Sequence, residues 1–105
     1  MSDVFRQCDN RQLIAQIGVP TVLAISGGRV MGRKTGITLP VSNGYRVTVD
    51  LNHDDTYVVR RVFVRRGRAF DHGEMRGVYA EDVSEVAYAA SCFRNVPFGD
   101  GEVAA

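Results

Sequence analysis

The clearest periodicity in the chain lies at Tyr45–Leu51, where Tyr45, Val47, Val49 and Leu51 alternate with Arg46, Thr48 and Asp50. A period of two predicts a strand with one buried face and one wet face. Over residues 79–93 the period changes. Tyr79, Val83, Val86, Ala87, Ala90 and Phe93 fall within about a third of a helical wheel, the signature of a core-facing helix. Glu81 and Asp82 then occupy its first turn, where the helix dipole favours acids.

Near the N-terminus, Asp9 and Gln12 have the spacing of a capping box, and Leu13, Ile14 and Ile17 follow on one face. Gly18 stops that helix and Pro20 forbids its continuation. The apolar run at residues 21–26 predicts a first strand, followed by a Gly-rich loop over 27–36 and a second strand over 37–41. That loop has little besides Val30 and Met31 to anchor it, which predicts mobility. Ser42, Asn43 and Gly44 form a hairpin turn, since Asn-Gly tolerates positive φ. Residues 52–55 are a polar turn.

Residues 57–66 predict a fourth strand whose alternation slips at Arg60 and Arg61. A bulge there restores the pattern, with Tyr57, Val59, Val62 and Val64 inward and Arg61, Phe63 and Arg65 outward. Ala69 and Phe70 begin a short fifth strand. These parts define an α+β fold: a small antiparallel sheet of three to five strands, with an N-terminal and a C-terminal helix packed on one face. Residues 1–98 make a single domain, and the small, polar tail from 99 to 105 is expected to be disordered.

Composition leaves this outline in place. Apolar residues make up 45% and charged residues 24%, ordinary values for a globular domain. No apolar run is long enough to span a bilayer, and Asp3 replaces the basic start of a secretory signal, so no membrane partner is expected. Cys8 and Cys92 do not make a disulfide framework, which points to a reducing cytosol. The net charge of +1 hides an asymmetry: residues 21–70 carry +6 and residues 71–105 carry −5. Either the two regions face each other in the fold, or the basic one meets an anionic partner.

Candidate chemistry is sparse. The run Gly28 to Thr35 superficially matches a phosphate-binding loop, but its spacing is wrong and a strand, not a helix, follows. Its cations Arg29, Arg33 and Lys34 could still touch phosphates. His53, Asp54 and Asp55, and Asp71, His72 and Glu74, are metal-ligand types, but with only two histidines and no Cys-x-x-Cys they are read as a polar turn and a polar loop. No cofactor or metal is expected. Ser26, Cys8 and Cys92 are the available nucleophiles, and no catalytic signature surrounds them, so no catalytic residue is assigned. The strongest feature is the expected open sheet face, with Arg46 and Thr48 on one strand and Arg61, Phe63 and Arg65 on another. Basic residues interleaved with an aromatic hold phosphates and stack bases. The same residue types are enriched at protein interfaces, and long Arg stems also cover solvated sheets.

Several segments recur in a familiar order: residues 13–18, residues 22–28, Tyr45–Leu51, residues 55–59 and the run Gly77-Val78-Tyr79-Ala80-Glu81-Asp82-Val83. Together they resemble a family of small uncharacterised proteins encoded by tailed phages, prophages and plasmids. The likeness spans residues 10–93, and Gly77 to Asp82 is its most specific piece. The chain departs from the family in its Arg-rich fourth strand and at residues 17–20, where members carry a Gly pair. The resemblance implies no activity and no site residues. Taken with the missing catalytic signature and the two unpaired cysteines, it leads to the expectation of a non-catalytic phage or mobile-element accessory protein in the host cytoplasm, binding a host or phage protein or a second copy of itself. The alternative is a nucleic-acid-binding module that uses the basic sheet face and the Gly/Arg loop.

Overall fold

A computed structural model, which describes residues 5–41 and 44–92, places the first helix, α1, at Asn10–Ile17. The Asp9 carboxylate caps it by accepting from the backbone N–H groups of Arg11 (3.0 Å) and Gln12 (3.3 Å). Gly18, at φ 95°, closes it by donating its N–H to Ile14 O.

Residues 21–26, expected as a strand, belong instead to a second helix, α2, at Val19–Ser26. Gly18 serves both helices, because its carbonyl accepts the first bond of α2 from Val22 N at 3.0 Å. Pro20 ends α1 as expected, yet it sits in the first turn of α2, where its missing N–H has no intrahelical partner to lose. Gly27 adopts the left-handed conformation that terminates the helix, and its N–H reaches Leu23 O.

The rest of the chain forms a five-stranded antiparallel sheet ordered β1 (Met31–Gly32), β2 (Gly36–Pro40), β3 (Tyr45–Leu51), β4 (Tyr57–Arg65) and β5 (Arg68–Val78). The final helix, α3, spans Val83–Ser91. It starts later than the apolar stripe suggested, so Tyr79 lies outside it and is exposed, while Asp82 is its N-cap. Phe93 and the tail lie outside the described residues.

All three helices pack on one sheet face. Leu13, Ile17, Val22, Ile25, Val83, Ala87 and Ala90 meet Ile37, Leu39, Val47, Val49 and Val59 in a single core. Tyr57 extends that core and donates its hydroxyl to Gln16 Oε1 at 2.6 Å.

The opposite face is drier than alternation alone implied, for Thr38, Asp50 and Val58 are all buried. Arg33 lies over it and Phe5, bridged to Asn52, sits beneath the Arg60 guanidinium at 5.5 Å.

The fourth strand carries the main correction. Its pairing with β3 is unbroken from Leu51 opposite Tyr57 to Tyr45 opposite Phe63. Two bulges do occur, but on the partner strand: Tyr57 and Val59 face Val78 and Met75, and Arg60 and Val62 face Glu74 and Asp71. In each case one residue of β4 opposes two of β5, and glycines at positive φ, Gly77 (68°) and Gly73 (114°), absorb the excess. The expected short fifth strand therefore runs through eleven residues. Because β4 alternates regularly, Val62 falls on the face opposite the helices, and Arg61 points into the core.

Candidate functional site

Arg61, expected on an open face, is only 6% exposed. Its Nε donates to Ala90 O at 2.7 Å, and its Nη2 lies 2.8 Å from Cys92 O and 3.4 Å from Ala89 O. These carbonyls end α3, where the helix leaves acceptors unpaired and concentrates negative potential. Arg61 is thus the C-terminal cap of α3, and its charge is engaged inside the fold.

Arg33 is held in the same way. Its Nε donates to Thr38 Oγ1 (2.9 Å), its Nη1 to Asp50 Oδ1 (2.7 Å) and its Nη2 to Ile37 O (2.8 Å). Thr35 Oγ1 supplies a second bond to the same Asp50 oxygen at 2.7 Å. Backbone bonds from Cys8 to Lys34 and from Leu51 to Thr35, with the Asn10 amide on Arg33 O, pin the loop further. The loop over 27–36 therefore has many more anchors than Val30 and Met31. Within it, only the Lys34 side chain stands exposed beside Arg29 and Met31.

Arg29 and Arg46 come together. With Val30, Met31 and Pro40 they line a shallow groove of about 480 Å³ beside the β1 edge. Arg29 Nε is 3.3 Å from Ser26 O, which orients the guanidinium at the groove mouth.

Phe63 and Arg65 belong to a different site, the tip of the β4–β5 hairpin. Arg66 (φ 52°) and Gly67 (φ 77°) are its two turn residues, and two positive φ values in succession define the hairpin turn whose twist matches the strands. Arg65 pairs with Arg68 across the ladder, and Phe63 pairs with Phe70 one step inward. By alternation these four side chains share a face. The Phe63 ring packs on Tyr45 with centroids 4.9 Å apart, while Phe70 is 46% exposed. Arg66, Arg68 and Phe70 escaped the reading of the sequence. The signal was present in Gly67, which marks a two-residue turn once the strands on either side are recognised.

The three candidate nucleophiles are all occupied or partly covered. Ser26 Oγ is 2.6 Å from Arg29 O and 3.2 Å from Val22 O, so its hydroxyl serves the end of α2. Burial, followed by the nearby Asp9 and Asp50 carboxylates, pushes the Cys8 thiol above its ordinary pKa. Cys92 is half-buried at the end of α3. Among the described residues, no three His, Cys, Asp or Glu side chains gather where they could hold a metal ion.

A feature missed outright is the outer face of α2. Val22 and Ile25 enter the core, while Val19 (61%) and Leu23 (54%) are exposed one turn apart on a helix with no charged residue. Leu23 lies against Gly28, where the chain leaves the helix for the Arg29–Arg46 groove. Among the described residues, no helix is long and apolar enough to cross a membrane. No family model, curated protein or solved structure matches the chain.

Proposed function

We propose that this is a non-catalytic accessory protein of the phage or mobile-element kind its sequence resembles, acting in the host cytoplasm by binding another protein. The observation that carries this reading is α2, which is apolar on both its inner and its outer side. A surface helix ordinarily keeps one apolar stripe and turns a polar face to water. Here the outward side offers Val19 and Leu23, and nothing charged interrupts it. Apolar surface of this kind marks contact sites. A second copy of the chain is a natural occupant. A two-fold interface sets a surface against itself, and an uncharged helix meets no like charge when it does so.

The test uses Leu23→Glu. Leu23 is exposed, so the fold should tolerate the change within about half a kcal/mol. Sedimentation of the wild-type chain across a concentration series should show self-association, or affinity capture from the host should retain one defined protein. Leu23→Glu should abolish whichever is seen. A wild-type chain that stays monomeric and captures the same proteins as Leu23→Glu would sink the proposal.

A further inference from the structure

We infer that the tip of the β4–β5 hairpin is a binding site for single-stranded nucleic acid, with Arg65, Arg66 and Arg68 on phosphates and Phe70 under a base. The site is separate from the α2 surface: α2 packs over β2, whereas the hairpin lies at the opposite edge of the sheet.

Three guanidinium groups stand within four residues of chain, all exposed. None of the three forms a hydrogen bond or ion pair with another described residue. Several other arginines are engaged by the fold, Arg61 on helix carbonyls, Arg33 on Asp50 and Arg60 on Glu74, while Arg11 and Arg46 stand singly without a side-chain partner among the described residues; only the tip gathers three such groups. Glu74, an acid of the same hairpin, is taken by Arg60 at 3.0 Å and by Arg76 at 2.5 Å, so it does not neutralise the tip. Concentrated positive charge with no partner among the described residues raises the local concentration of anions.

The turn fixes the positions from which these side chains project. Arg66 and Gly67 hold the conformation that keeps Arg65 and Arg68 directly opposed, at cross-strand spacing of about 5 Å. One step inward, about 7 Å along the strands, Phe63 and Phe70 form the next rung of the same face. Tyr45 flanks Phe63 on its other side, so Phe63 is held between Tyr45 and Phe70, and Phe70 is the exposed end of the row. A cationic rung beside an aromatic rung fits a chain that alternates phosphate and base. Stacking on Phe70 requires an open base face, which a single strand offers and a duplex does not.

Fluorescence anisotropy of a labelled thymidine oligonucleotide of about twenty residues, titrated with the full chain, tests the site. Three phosphate contacts predict that affinity falls roughly 20-fold between about 50 and 200 mM salt, from a slope near 0.7 per contact. Replacing the cations together (Arg65→Gln, Arg66→Asn, Arg68→Gln) should remove most of that slope, and Phe70→Ala should weaken binding at least about fivefold. Asn suits positive φ, so the turn is retained. Absence of binding at low salt, or wild-type binding whose affinity ignores salt, overturns the inference without reference to any variant. Equal affinity for the matching duplex, or tighter binding of polyglutamate at the same salt, also overturns it. The α2 proposal stands or falls separately, since self-association or partner capture by the triple variant reads only that surface.

Discussion

Arg61 and Arg65 lie on one strand and one face, four residues apart, and perform opposite tasks. Arg61 is buried against the carbonyls that end α3, and Arg65 stands in water at the hairpin tip. Both are the same residue in the same local sequence context of Val, Phe and Arg. The difference is what the fold brings to them. A helix terminus with unpaired acceptors arrives over Arg61, whereas β3 ends at Tyr45, opposite Phe63, so nothing in that strand extends over Arg65. A guanidinium is structural where acceptors converge on it and available where they do not.

Arg61→Ala breaks this comparison most severely. It removes a charged donor from Ala90 O and Cys92 O, at about 1.5–3 kcal/mol for each of these two strong bonds, while Ala89 O keeps the Cys92 N–H. Partial relaxation toward water reduces the sum, and a loss of about 3–4 kcal/mol is expected in chemical denaturation. A loss under about 1 kcal/mol would mean that the cap is dispensable. Arg33→Ala comes next. Asp50 would keep only Thr35 at its buried oxygen, and the Arg33 side chain is itself over a third exposed. Water can therefore partly replace it, and about 2 kcal/mol is the expected cost. Asp50→Asn in the Arg33→Ala background should recover part of that loss, while strict additivity of the two changes would show that the pair is not coupled. The smallest effect belongs to Arg65→Gln with Arg68→Gln, at no more than about half a kcal/mol each. A melting temperature lowered as far as by Arg61→Ala would erase the distinction altogether.

What the sequence disclosed, and what it withheld, follows the same physical line. The alternation in β3, the Asp9 cap and the Gly18 stop were legible because each is a local rule satisfied within a few residues. The α2 segment was not. An eight-residue apolar run between Gly18 and Gly27 fits a buried strand or a short helix equally well, and packing on the sheet decides between them. The register of β4 failed for a different reason. Placing Arg61 outside required a bulge, and only the three-dimensional arrival of the α3 terminus makes an inward arginine the lower-energy choice. Of the candidate residues, Phe63 and Arg65 remain at the hairpin tip, Arg29 and Arg46 share a groove, and Lys34 stays exposed. Arg33 and Arg61 proved to be part of the framework.

The glycine bulges of β5 have a further consequence, for the company the molecule keeps. At eleven residues β5 is the longest strand and forms one border of the sheet. A long, regular border is a template onto which strands of other chains can add indefinitely. Gly73 and Gly77 interrupt the outward row of amides and carbonyls at two places, and Arg68, Glu74 and Arg76 set charge along it. At the other border, β1 presents only two residues. Neither margin offers the unbroken edge that fibril growth requires, so strand addition at either border is disfavoured.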